Sequence, residues 1–391
     1  MTSSFFDSMD KSSCCGCKLC GSVCPVKAIS FSYDEEGFWY PVTDSTLCIK
    51  CDRCRRECPL AQESLPELDC NRRTYAAFSK SEEVLAHSTS GGLFTAFSDV
   101  ILNEGGSVFG HVWDEHCRAV CIGTESALER DRMRGSKYVQ SDMGAVYAQI
   151  ETAARSGKKV LVTGTPCQID AVHRFLGKSC SDNLYTLDIV CHGVPSPRIF
   201  AEYLEIMGRR AGKKIKDVVF RGKRKGWNMP LMEFCYADGS HAAELLNADA
   251  FNNLFLGTDC ILRPSCYKCR YAGALRISDI SIGDFWGVEE RHADMFNDNR
   301  GVSLMTVNTK KGEWLFAEAE DSVVSKQIPL CDATKRNYPL CHPTAPYFER
   351  ARFFRDYHKK GLEWCLRSYM PKSLFTRGLR KIRRIFARLL G

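Results

Sequence analysis

Cys14-Cys15-Gly16-Cys17-Lys18-Leu19-Cys20-Gly21-Ser22-Val23-Cys24-Pro25 and Cys48-Ile49-Lys50-Cys51-Asp52-Arg53-Cys54-Arg55-Arg56-Glu57-Cys58-Pro59 repeat one grid. Each reads C-x2-C-x2-C-x3-C-P, the spacing that wraps a four-iron, four-sulfur cube. In two-cluster ferredoxins the fourth cysteine of each run ligates the other cluster. That rule groups Cys14, Cys17, Cys20 and Cys58 around one cluster, and Cys48, Cys51, Cys54 and Cys24 around the second. Zinc also takes CxxC pairs, but duplicated four-cysteine runs that each end in Cys-Pro favour clusters. Cys15 stands one residue out of register and reads as a spare thiol. Short apolar pieces at Ala28–Tyr33 and Phe38–Pro41 flank a turn at 34–37. The expectation is a bacterial-type ferredoxin domain over residues 1–66, carrying two 4Fe-4S clusters that move single electrons.

The rest of the 391-residue, 44.1 kDa chain is long enough for a large second core. Its 22 cysteines in a chain of this length read as metal and redox usage, not a secreted disulfide scaffold. The start has no basic segment followed by an apolar run, and no stretch approaches twenty apolar residues, so the expected location is the cytoplasm. The net charge of +7 is concentrated at one end. Residues 364–391 hold eight Lys or Arg and no acid, which leaves 46 basic against 47 acidic residues elsewhere. A neutral body argues against a nucleic-acid partner, whose footprint would be a basic folded face.

After a polar linker, residues 72–345 alternate strand-like and helix-like patterns. Strands are predicted at Tyr75–Ser79, Val108–Trp113, Ala119–Gly123, Lys159–Thr163, Leu184–Val190, Ile277–Gly283 and Ser303–Asn308. Helices are predicted at Gly91–Leu102, Met143–Ala154, 166–176, Arg198–Met207, Asn247–Leu256, Lys311–Ala319 and Thr344–Tyr357, with a hairpin insertion near 215–243. This is an α/β (α+β) core, and residues 346–391 add C-terminal helices. Polar turns and cysteines fall just after strands, where ligands sit in such sheets. Cys167, Cys191, Cys266 and Cys269 are the candidates for a third 4Fe-4S cluster. Zinc or ordinary buried thiols are the alternatives, and Cys260 is a substitute ligand.

No dinucleotide fingerprint or P-loop follows a strand. Ser90, Gly91 and Gly92 open a helix with hydroxyl and N–H groups suited to a phosphate. Beside clusters, that cradle suggests the diphosphate of FAD, since flavins join single-electron to paired-electron chemistry. Arg134, Ser136, Lys137 and Tyr138 form a second polar island, and Thr163, Gly164, Thr165 and Gln168 add donors at the sheet edge.

The motifs TSGG, GSKYVQSD, VTGTPCQI, VCHGVPSP, CYKC and SIGDFWG, over about residues 10–300, together resemble the coenzyme F420 hydrogenase/dehydrogenase beta-subunit family. That family includes plant 7-hydroxymethyl chlorophyll a reductase. The resemblance implies a flavoprotein fold with FAD near iron–sulfur clusters. It places Ser90, Gly91 and Gly92 at the cofactor phosphate or ribose and Lys137 and Tyr138 near its ring. Thr165 to Gln168 then border cofactor and cluster, and Cys167, Cys191, Cys266 and Cys269 are cluster ligands. Many bacterial members are linked to surface polysaccharide biosynthesis.

Residues 209–225 contain nine basic residues and one acid, followed by Trp227. This stretch is either a solvated turn or a lid for an anionic small-molecule or lipid-linked substrate, with Trp227 stacking on a ring. His192 is a candidate proton donor, with Lys137 and Tyr138 beside it as candidate catalytic groups. In the tail, Phe375, Leu379, Ile382, Phe386 and Leu389 recur at helical spacing among arginines. A helix over 373–391 would suit the inner face of a membrane. The leading expectation is an FAD-dependent iron–sulfur oxidoreductase with a redox partner such as ferredoxin. The alternative is an electron-transfer subunit linking a partner to a diffusible carrier such as F420 or ferredoxin.

Overall fold

A computed structural model describes residues 5–6, 9–62, 72–177, 182–273 and 275–370. The predicted tail helix over 373–391 lies outside them. The first module is an antiparallel hairpin, β1 (Ile29–Tyr33) and β2 (Trp39–Thr43), with two short helices, α1 (Leu19–Val23) and α2 (Arg53–Arg56). The two grids adopt one backbone path. Gly16 and Lys50 occupy equivalent grid positions, and both have positive φ, 70° and 55°. Lys18 and Asp52, also equivalent, have φ of 62° and 58° and open α1 and α2. Alternating left- and right-handed residues turn backbone N–H groups inward, the concavity that receives iron–sulfur sites.

The core is an eight-stranded mixed sheet. Its strands are β3 (Arg73–Ser79), β4 (Ser107–Trp113), β5 (Ala119–Thr124), β6 (Val160–Gly164), β7 (Leu184–Ile189), β11 (Ile280–Asp284), β12 (Ser303–Val307) and β13 (Val323–Ile328). The spatial order is β13-β3-β12-β11-β7-β6-β4-β5, with β4, β6, β7 and β11 mutually parallel. Helices α3 (Leu93–Asn103), α4 (Val146–Arg155), α5 (Pro166–Leu176) and α7 (Lys310–Ala319) cover this sheet, with apolar residues such as Phe97, Ile150, Ile169 and Leu315 buried. The mixed α/β core with its N-terminal ferredoxin-like module matches the expected class.

Several elements differ from expectation. The insertion near 215–243 is a three-stranded antiparallel sheet, β8 (Ile215–Gly222), β9 (Leu231–Tyr236) and β10 (His241–Leu245), packed on α6 (Pro197–Ala211). Strand β13 was not expected, because its polar centre, Ser325-Lys326-Gln327, hides the pattern of an edge strand. The helix expected over Asn247–Leu256 is one short turn, Ala250–Asn252, that runs into a π-turn at Asn253–Gly257. The helix expected at Thr344–Tyr357 begins only at α8 (Arg350–Lys360), followed by α9 (Leu362–Ser368).

The ferredoxin module is fastened to the core by polar contacts. Tyr147 Oη donates to Cys17 O (2.8 Å), Gln140 Nε2 to Cys15 O (3.0 Å), Ser196 Oγ to Glu36 O (2.8 Å) and Arg270 Nη1 to Pro59 O (3.0 Å). Lys18 pairs with Asp142 at 2.5 Å and lies over the Trp39 ring, and Arg350 holds Glu36 through both carboxylate oxygens. These contacts fix the first grid against the carboxyl ends of β6 and β7.

Candidate functional site

The carboxyl ends of β6, β7 and β11 open into a cavity of about 980 Å³, at the top of the size range for small-molecule sites. Cys15, Cys167, Cys191 and His192 line it. So do Ser90, Gly92, Arg134, Ser136, Lys137, Tyr138, Thr163, Gly164, Thr165 and Gln168. Of the predicted cofactor residues only Gly91 stays behind the wall, where a Cβ would meet Ala77 O at 2.6 Å. A topology that puts three parallel strand ends together therefore gathers residues scattered from position 15 to position 192.

The first-grid thiols converge. Burial and the neighbouring thiolates of Cys14 and Cys58 push the Cys20 thiol well up, and Cys58 and Cys20 act on buried Cys17 in the same direction. The other expected set, Cys24, Cys48, Cys51 and Cys54, lines a second cavity of about 870 Å³ inside the module. Soft sulfur donors of this kind suit iron–sulfur cubes.

Of the third set, Cys167 and Cys191 line the cavity. Burial, with Cys266, Cys167 and Cys269 as neighbours, raises the Cys191 thiol well above its ordinary value. Burial with Cys269 and Cys167 nearby pushes Cys266 to about 12. Cys167 is the second residue of α5, and Thr165 Oγ1 lies 3.2 Å from its sulfur. Cys260 stands apart, fully buried and hydrogen-bonded to Thr258 Oγ1 at 3.0 Å. Cys15, read as a spare thiol, lines the same cavity as Cys167 and Cys191.

Many predicted cofactor donors are committed within the protein. Ser90 Oγ donates to Val302 O (2.9 Å), Gly91 N to Ser303 Oγ (2.9 Å) and Ser136 N to Thr89 Oγ1 (2.8 Å). Thr165 and Gln168 form the capping box of α5, and Thr163 Oγ1 donates to Phe109 O. Arg134 pairs with Glu83 and Asp131. Lys137 Nζ donates to carbonyl oxygens of residues 132 to 135 at 2.9–3.2 Å, while burial draws its ammonium down to about 7. His192 Nε2 lies 2.7 Å from Asp259 Oδ1, and Tyr138 packs between Phe220 and Phe255.

The basic stretch divides between buried and exposed residues. Trp227 is 1% exposed, stacks on Trp286 at 5.0 Å and donates Nε1–H to Asp284 Oδ1 at 2.8 Å. Arg221 is buried against Asp284 and Trp286, Lys223 donates to Ser90 O and Arg300 O, and Arg224 pairs with Glu233. Arg221 and Trp227 line the cavity wall, while Arg224, Lys225 and the basic residues of 209–216 are exposed. Sequence reasoning missed His111, which lines the cavity from β4 and is held to about 4 by burial. Nothing distinguishes it in sequence from any strand histidine.

Residues 157–330 match the family described as the C-terminal part of the coenzyme F420 hydrogenase/dehydrogenase beta subunit, and residues 13–61 match the 4Fe-4S dicluster domain. The chain is 24% identical over 342 residues to an uncharacterized protein of Methanocaldococcus jannaschii, covering 79% of this chain and 87% of that one. It is similar at a TM-score of 0.46 and 17% identity to a chain of the F420-reducing NiFe hydrogenase complex from Methanosarcina barkeri, covering 79% of this chain and 93% of that chain. The family matches correct the expected FAD-dependent flavoprotein. They support an iron–sulfur redox protein related to that family and give no support for FAD. They likewise carry no link to polysaccharide biosynthesis. Among the described residues no helix is long and apolar enough to cross a membrane.

Proposed function

Since the chain fuses an N-terminal 4Fe-4S ferredoxin-like domain to a C-terminal domain of the F420 hydrogenase/dehydrogenase beta-subunit type, we propose that it is an electron-transfer subunit. It links a protein redox partner to a diffusible two-electron carrier of the F420 class in the large cavity. One observation carries this reading: Cys15 of the ferredoxin module lines the same cavity as Cys167 and Cys191 of the core. When bound, iron–sulfur clusters supply electrons singly. Cys14, Cys17, Cys20 and Cys58 hold one cluster, Cys24, Cys48, Cys51 and Cys54 the next, and Cys167, Cys191, Cys266 and Cys269 a third. A carrier that gains a hydride gains two electrons and one proton, and Lys137 or His192 at the wall supplies the proton. A partner subunit in a hydrogenase-like assembly suits the exposed edge of Cys51.

The test is anaerobic purification with iron, sulfide and zinc quantitation, then F420 reduction driven by reduced ferredoxin. About twelve irons per chain and bleaching of the F420 absorbance are expected. Zinc in place of iron, or clusters without any F420 binding or reduction, would overturn the reading.

Lys137 gives a second expected outcome. With its ammonium near 7, the proton-donating form predominates below that pH. Carrier reduction should therefore fall as pH rises through about 7, and this limb should vanish in Lys137→Met. An unchanged profile in that variant assigns the proton to another group.

A further inference from the structure

Arg263 is fully buried, yet among the described residues no carboxylate lies within ion-pair distance of it. Its guanidinium donates Nε–H to Cys14 O (2.6 Å), Nη1–H to Gln140 Oε1 (2.9 Å) and Nη2–H to Trp39 O (3.0 Å). Its remaining contact is Nη2–H to the sulfur of Cys14 at 3.3 Å. The cation stands over the Tyr40 ring at 4.3 Å and the Phe38 ring at 5.4 Å. Gly16 makes room for it, since a Cβ there would lie 2.8 Å from Nη1. Its backbone borders the third set, since Cys266 N donates to Arg263 O at 2.9 Å.

A guanidinium so buried needs a compensating negative charge, because its desolvation cost is several kcal/mol in real proteins. Neutral carbonyls and an amide satisfy its donors without supplying that charge. Among the described residues, the anionic partners the fold offers are the cysteine sulfurs on either side. We propose that Arg263 is the internal counter-ion of the first cluster, placed between it and the third cysteine set, and that it raises the first cluster's tendency to accept an electron. It is a positioning residue, acting through the N–H to sulfur contact and through charge, since both favour the more negative, reduced cluster. The inference rests on the cluster assignment proposed above.

The test uses the full chain, anaerobically reconstituted, with each cluster titrated by electron paramagnetic resonance at controlled potential. In Arg263→Gln the first cluster's reduced-to-oxidised ratio at the wild-type midpoint should fall about tenfold, a shift of about 59 mV for one electron. Arg263→Lys, which keeps the charge, should recover most of that loss, and the cluster held by Cys48, Cys51 and Cys54 should move much less. Equal midpoints in wild type and Arg263→Gln at full iron content overturn the proposal. Should Arg263→Gln not fold, wild type labelled with ¹⁵N-arginine decides. A nitrogen hyperfine coupling on the reduced first cluster supports the contact, and its absence overturns it. A wild-type chain without clusters defeats the proposed function itself, whereas clusters indifferent to Arg263 defeat only this inference.

Discussion

Cys24→Ala is expected to abolish the cluster of the second grid while leaving that of the first intact. Neighbouring cysteines in sequence suggest the opposite, because Cys24 closes the run that starts at Cys14. In space it lines the module cavity with Cys48, Cys51 and Cys54, while Cys58 is the thiol that acts on Cys17 and Cys20. The positive-φ residues at equivalent grid positions make the two halves near-copies, so exchanging the fourth ligand between halves is the symmetric solution. Removing one thiolate of four leaves an open iron that is lost under chelation. Iron should drop by about four per chain in Cys24→Ala, and the spin–spin coupling between reduced clusters should disappear from the resonance spectrum. Cys58→Ala should remove the other cluster and, with it, the conduit to Cys15 and Cys167. Loss of the first-grid signal in Cys24→Ala would sink the crossed assignment.

Such spacing-defined chemistry was legible because a cluster fixes its own ligand geometry, and the chain has only to repeat it. The placing of Cys167 and Cys191 at one edge was legible for a related reason, as each follows a strand in an α/β pattern and β6 and β7 prove to be parallel neighbours. What sequence did not disclose was the use already made of each polar group. Ser90 and Gly91 look like free phosphate donors until β12 supplies Val302 O and Ser303 Oγ as partners. Trp227 beside four basic residues reads as an exposed platform, but Trp286 and Asp284 lie beneath it only once β11 is in place. Cys15 shares the cavity with Cys167 across the domain junction, a juxtaposition with no local sequence signature.

The second large effect concerns the pin that holds the third cysteine set. Asp188 sits near the end of β7, three residues before Cys191, and pairs with Arg276, seven residues after Cys269, at 2.8 Å with side chains 0% and 2% exposed. Arg276 also donates to Ile189 O at 2.9 Å and to Ser281 Oγ at 3.2 Å, so it spans the β7–β11 seam. Removing one partner strands a buried charge, which costs about 3–5 kcal/mol. Arg276→Met and Asp188→Leu should each lower the stability of the chain by that amount in denaturant titration. Among the described residues Asp188 Oδ2 has no hydrogen-bond partner, so the intact pair already bears a desolvation penalty. The double variant should therefore be far less damaged than the two singles summed, a non-additivity that a double-mutant cycle reads directly. Either single variant within about 1 kcal/mol of wild type would show that water reaches the seam. Where the single variants still fold, their iron deficit should fall on the third set alone, because Cys191 and Cys269 flank the two ends of the pin, while the module cysteines are fastened through Tyr147, Gln140 and Arg350 instead.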